Sequence, residues 1–101
     1  MGKDLLKVKR IAFMCNGNSC LNKGAEDTTV SLRAAIAANN LHDEVHTIRT
    51  RCTGQCEHGP VVFIHPDGTW YKDMKAEFTA NLVDCHFVIG KPVGNAVFFQ
   101  D

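Results

Sequence analysis

The chain has 101 residues, 45% of them apolar, and its eleven lysines and arginines balance eleven aspartates and glutamates. One domain, 1–101, fits this length and can bury roughly 65% of the surface its unfolded chain exposes, so no metal is needed merely to hold it together. A net charge of zero, with no basic tail and no interleaving of basic and aromatic residues, argues against nucleic acid as a partner. No apolar run approaches the ~20 residues that span a bilayer. The opening MGKDLLKVKR has neither an export-signal core nor a cleavage site, which points to the cytoplasm and leaves the membrane out.

In chain order, VKRIAFM (Val8 to Met14) is rich in strand formers and reads as a central strand. CNGNSCLNKG follows as a loop, its asparagines and glycines breaking the pattern. From about Gly24 to Asn39 the residues favour helix. Glu26 and Asp27 suit its first turn, Val30, Ala34 and Ala37 share one face, and Leu32 and Ile36 form a flanking stripe. VHTIRTR (Val45 to Arg51) is β-branched and reads as a second strand, so strand, helix and strand make a βαβ unit with parallel strands. PVVFIH (Pro60 to His65) and TWY (Thr69 to Tyr71) flank Pro66-Asp67-Gly68, a turn signal, and form an antiparallel hairpin. A second helix is expected from about Asp73 to Cys85, with Met74, Phe78, Leu82 and Val83 facing inward. The apolar stretch from Phe87 to Phe99, broken by Gly90, Pro92 and Gly94, has no evident place. The resulting order predicts an α/β fold on the thioredoxin-like plan, a four-stranded mixed sheet flanked by two helices.

The cysteines carry the chemistry. Five in a protein with no evident export signal suggest metal or redox chemistry before disulfides, because the cytosol keeps thiols reduced. Cys15 ends the first strand and Cys20 lies in the loop after it; Cys52 ends the second strand and Cys56 lies in the loop ahead of Gly59-Pro60. Parallel strands of a βαβ unit present their C-terminal ends on one sheet edge, so both pairs are expected at one place. Four thiolates near one point are what a Cys₄ iron–sulfur centre needs. Asn16, Gly17, Asn18, Ser19, Thr53, Gly54 and Gln55 are small or polar and let backbone N–H groups approach the sulfurs. Lys23, Arg49 and Arg51 either add positive charge or belong to an ordinary solvated surface.

The stretches MCNGNSCLNKGAED and RTRCTGQCEHGPVVFIHPDGTWYKDM resemble the thioredoxin-fold [2Fe–2S] ferredoxins. That family includes free-standing carriers and the small iron–sulfur subunit of NADH:quinone oxidoreductase and related hydrogenases. The resemblance spans about Lys7 to Val88, and it implies that Cys15, Cys20, Cys52 and Cys56 hold a single [2Fe–2S] cluster. It also implies a non-enzymatic one-electron carrier that meets redox-partner proteins and forms a homodimer through the hairpin and the C-terminal stretch. The short first cysteine spacing is that of the complex subunits, yet the helical extension usual in those subunits does not precede it. Both a stand-alone carrier and a small subunit of a larger complex therefore stay open.

Two other chemistries compete. A structural Cys₄ zinc module is compatible with the spacing of the pairs, although zinc usually substitutes for a missing core. A thiol–disulfide oxidoreductase would use Cys-x-x-Cys at a helix start, and the chain contains no such motif. Cys85, in an apolar context, is expected to pack in the core. His58 lies near Cys56 but is not required as a ligand. His42, His46, His65 and His86 show no ligand spacing and are expected on the surface or in strands, while Trp70 and Tyr71 suit core or dimer packing. No phosphate loop or Ser-His-Asp pattern occurs.

Overall fold

A crossover helix is what lets two strands run side by side in the same direction. In the computed structural model, which describes residues 5–17, 22–51, 54 and 58–100, β1 (Arg10–Cys15) and β2 (Val45–Thr50) are joined through α1 (Ala25–Ala38). The two strands pair in parallel, from Arg10 opposite Val45 to Cys15 opposite Thr50. On the other side of β1, β3 (Val62–His65) runs antiparallel and hairpins into β4 (Thr69–Tyr71) through the expected Pro66-Asp67-Gly68 turn. The fold class is as the sequence predicts, with one addition. The sheet has five strands in the order β2-β1-β3-β4-β5, and β5 (Val97–Gln100) comes from the C-terminal stretch that sequence left unplaced.

Both helical segments cover the same face of the sheet. Ala12 and Met14 of β1, Val62 and Ile64 of β3 and Tyr71 of β4 share one core with Leu32 and Ile36 of α1 and with Met74, Leu82, Val83 and Phe87. Each large apolar side chain buried there contributes about 1.5–3 kcal/mol. In α1 the buried stripe is Ala25, Thr28, Thr29, Leu32 and Ile36, whereas Val30, 58% exposed, faces solvent with Ala34 and Ala37. The threonines reach the core because their hydroxyls are satisfied within it: Thr28 donates to the Met74 carbonyl at 2.6 Å and Thr29 to the Ala25 carbonyl at 3.0 Å.

The second helix departs from its expected bounds at both ends. Asp73 adopts φ +48°, outside the right-handed helical region, and the amides of Asp73 and Met74 tie this segment to the carbonyls of His58 and Pro60 at 2.9 and 3.0 Å. Helical turns begin with a 3₁₀ turn at Ala76–Phe78, pass through α2 (Thr79–Leu82) and widen into a π-helical stretch at Val83–Ile89. Gly90, at φ +91°, stops them in the left-handed conformation that glycine adopts at no steric cost. Phe78 is consequently turned outward, 47% exposed, rather than inward.

His86 is not a surface residue. It is fully buried, and its Nδ1 faces the Tyr71 hydroxyl at 2.6 Å while its Nε2 bonds Asp67. Asp67 also accepts from Arg10 at 3.1 Å, and the Tyr71 oxygen accepts from the Val93 amide at 3.1 Å. Cys85 next door is half-buried, its thiol 3.4 Å from the Asn81 side-chain oxygen, so it is not the core residue expected.

This network makes folding stability depend on pH at two limits. Burial pushes the Asp67 carboxyl up, but hydrogen bonds and charge from His86 and Arg10 outweigh it and hold the group below 3.8. Its contribution is therefore complete above the unfolded-state value near 3.9 and lost as pH falls through the folded value. Burial, with the nearby charge of Asp67, raises the Tyr71 hydroxyl to about 12 against the pull of the Val93 amide. That contribution is complete below about pH 10 and fades between about 10 and 12. Urea unfolding across pH should show both losses, Asp67→Asn flattening the acid one and Tyr71→Phe the alkaline one. Unchanged slopes in the variants would show that the network does not contribute.

Candidate metal centre

Cys15 is the last residue of β1 and is 2% exposed. Alternation along the strand places Ala12 and Met14 in the main core, and Cys15 instead packs with Ala25, the first residue of α1, and with Val61, just ahead of β3. Trp70 of β4 and Phe98 of β5 close against that group. The thiol thus has an apolar wall behind it. Its Sγ–H donates to the Arg51 carbonyl at 3.5 Å, which brings the sulfur beside the residue that precedes Cys52 in sequence.

Backbone bonds fix this edge of the sheet. The Cys15 amide donates to the Val61 carbonyl at 3.0 Å and the Asn16 amide to the Thr50 carbonyl at 2.9 Å, so β1 is pinned to a neighbour on each side at its end. The Asn16 side chain turns back to the Met14 carbonyl at 3.1 Å and the Thr29 hydroxyl at 3.4 Å. Gly24, at φ +99°, caps α1 without any side-chain bond, and the first amides of α1, which have no partner within the helix, point toward its N-terminal end, next to Cys15.

One of the charges near this edge is internally matched. Arg49 makes a double hydrogen bond to Glu26 at 2.6 and 2.8 Å, which neutralises the guanidinium considered above as a source of positive charge. Lys23 and Arg51 are exposed. The ring of His58 stacks on Phe98, centroids 4.5 Å apart.

Of the cysteines proposed from sequence, the structure places Cys15 as expected; Cys20, Cys52 and Cys56 lie outside the described residues, as do Asn18, Ser19, Thr53 and Gln55. Among the described residues no group of three or more His, Cys, Asp or Glu is placed to hold a metal. A buried thiol on a parallel-strand end, backed by apolar side chains and facing a helix start, fits a thiolate-ligated centre, since bound metal displaces the thiol proton and needs no further protein charge. Val61, Ala25, Trp70 and Phe98 complete this surround, and none was singled out for it from sequence. Only the position of Val61 after Gly59-Pro60 hinted at a role beside the cysteines.

A parallel β1–β2 pair, three antiparallel additions and helices on one face define a thioredoxin-like protein with a cysteine at the sheet edge. Comparison with solved structures agrees: the thioredoxin-like [2Fe–2S] ferredoxin of Aquifex aeolicus superposes with a TM-score of 0.85 at 25% identity, covering 92% of this chain and 93% of that one. Its wild-type form at 1.5 Å resolution gives 0.84 at 26% identity, over 91% and 98%. No family model matches the chain. Among curated proteins, a putative 2Fe–2S ferredoxin of Priestia megaterium is 35% identical over 91% of this chain and 72% of its own length. A 2Fe–2S ferredoxin of Clostridium pasteurianum is 28% identical over 88% of this chain and 95% of its own. The chain belongs to the thioredoxin-like [2Fe–2S] ferredoxin family.

The glycine at the start of α1 gives a direct test of how the edge is built. No atom lies within 4 Å of a Cβ placed on Gly24, so the cost of substitution is backbone strain at φ +99° and not collision. Gly24→Ala should destabilise the protein by about 1–2 kcal/mol in chemical denaturation. A loss below about 0.3 kcal/mol would mean that the turn relaxes freely and does not set the entry of α1.

Proposed function

We propose that Cys15, Cys20, Cys52 and Cys56 hold one [2Fe–2S] cluster and that the protein is a one-electron carrier between redox-partner proteins in the cytoplasm, with no catalytic residue of its own. The observation that carries this reading is the buried Cys15 thiol at the end of β1, 3.5 Å from the carbonyl of Arg51. It sits in a family whose members bear that cluster in their names. The bound cluster supplies a single-electron couple between net charges of −2 and −3. The residues of the chain hold the thiolates, offer backbone N–H groups at the start of α1, and keep bulk water off the apolar side of Cys15.

The partners include a second copy of the chain in this reading. Phe13, Phe63 and Trp70 lie across the sheet face away from the helices, with ring centroids 5.8 and 4.7 Å apart, all half-buried. Phe99 of the edge strand is 55% exposed beside them. A partner sheet would cover this aromatic face, in keeping with the hairpin and C-terminal stretch named from sequence. No helix among the described residues is long and apolar enough to cross a membrane.

Protein purified without oxygen should be brown, carry two irons and two sulfides per chain, and bleach partly on dithionite. Serine at Cys15, Cys20, Cys52 or Cys56 should destabilise or abolish the cluster, whereas Cys85→Ser should leave it intact. Colourless protein with one zinc and no sulfide would replace the carrier by a structural zinc module. Sedimentation should give a dimer that Phe63→Glu dissociates; a monomeric wild type would remove the second copy.

A further inference from the structure

β5 does not pair evenly with β4. Thr69 stands opposite Gln100 and Trp70 opposite Phe99, but Tyr71 stands opposite Val97, so the register shifts and Phe98 is the extra residue of a bulge. Bulges of this kind re-aim one side chain away from the regular alternation. Here the ring of Phe98 packs against the Cys15–Ala25–Val61 group and stacks on His58 at 4.5 Å. The strand on either side of it is held elsewhere. Gln100 donates from Nε2 to the Asp67 carbonyl at 2.6 Å and accepts from the Thr69 hydroxyl at 2.7 Å. Ahead of β5, the Lys72 amide donates to the Ala96 carbonyl at 2.9 Å and the Val93 amide to the Tyr71 hydroxyl at 3.1 Å. Tyr71 and Asp67 are in turn joined through the buried ring of His86.

We propose that Phe98 is a positioning residue for the redox site, closing the apolar wall behind Cys15, and that the Asp67–His86–Tyr71 chain keeps it there by fixing β5. This inference rests on the cluster assignment made above. The Asp67–His86–Tyr71 chain starts at the hairpin turn, where Arg10 beside Asp67 is five positions from Cys15, about 17 Å at ~3.3 Å per residue. It reaches back to Tyr71, which stands opposite Val62 and Val97 near the Cys15 end of the sheet. The action runs through the strand, because Tyr71 pairs with Val97, the residue next to Phe98.

The consequence has a sign. The reduced site carries one more negative charge than the oxidised one, and water stabilises the more charged form. Shielding by Phe98 holds the reduction potential down, and removing the shield raises it, because iron–sulfur potentials respond to solvent exposure.

Anaerobic redox titration of the loaded protein, followed by the visible spectrum and by electron paramagnetic resonance, tests this together with hydrogen exchange of β5. Phe98→Ala should retain both irons and both sulfides and shift the reduced-to-oxidised ratio at fixed poise several-fold toward reduced, a tenfold change corresponding to about 59 mV. Phe98→Leu should restore most of the wild-type value, and Ile89→Ala, on an exposed side chain outside the Cys15 group, should leave it unchanged. Tyr71→Phe should speed exchange in β5 and shift the ratio in the same direction. Gln100→Ala, an exposed tether, should do so too, and it decides the point should Tyr71→Phe not fold. A loaded Phe98→Ala protein with unaltered potential overturns the role of Phe98. Faster exchange in β5 with unaltered potential overturns the coupling. A wild type that holds no iron defeats the cluster assignment itself, an outcome visible before any variant is compared.

Discussion

The parallel pairing of β1 with β2 is the constraint on which the remaining architecture depends. Parallel strands cannot be joined by a tight turn, so α1 must cross over one face of the sheet, and both strands then end at the same edge. Everything chemical in the chain follows from that edge. Cys15 stands opposite Thr50 in the register, its thiol meets the carbonyl of Arg51, and the start of α1 abuts it through Ala25. Slipping the register by one residue would turn Ala12 and Met14 out of the core and Phe13 into it. The fully buried Ala12 and the nearly buried Met14 thus set the position of the cysteine as much as they stabilise the fold.

Local sequence patterns made much of this legible. Val45 to Arg51 announces its strand by β-branching, Pro66-Asp67-Gly68 announces its turn, and the strand-helix-strand order announces the parallel pair and its shared edge. What stayed hidden depends on contacts between distant residues. His86 looks like an unremarkable polar residue in sequence; its burial becomes tolerable only because Asp67 and Tyr71, far along the chain, satisfy both ring nitrogens. Strand β5 was illegible for a similar reason. Gly94 and Pro92 read as breakers, and nothing local reveals that Gln100 will reach the Asp67 carbonyl or that β4 offers a free edge. The buried face of α1 is not the one through Val30, Ala34 and Ala37, because Thr28 and Thr29 satisfy their hydroxyls internally and join Leu32 and Ile36 in the core.

The same contrast applies to the site. Candidate ligands are legible in sequence because ligands must be particular residue types at particular spacings. The wall behind Cys15 was not, since Val61, Trp70 and Phe98 are ordinary apolar residues whose meeting is decided by strand order and by one bulge. Residues that tune a site are in general harder to read than residues that form it, because apolar surface of many kinds can exclude water.

Two influences on a thiolate-held charge oppose each other at this edge, and their sizes indicate which prevails. The first amides of α1 favour negative charge, an effect worth about 0.3–2 kcal/mol and confined to the first turn. Formal positive charge adds little, because Arg49 is already matched by Glu26 and Arg51 is exposed, where screening by water is strong. Against these stands the withdrawal of water by Ala25, Val61, Trp70 and Phe98, and burying an ion without compensation costs several kcal/mol even after relaxation. The balance disfavours each further unit of negative charge. A cluster held at this edge, as proposed, would therefore be harder to reduce because of the apolar wall and not because of the chain's net charge, which is zero.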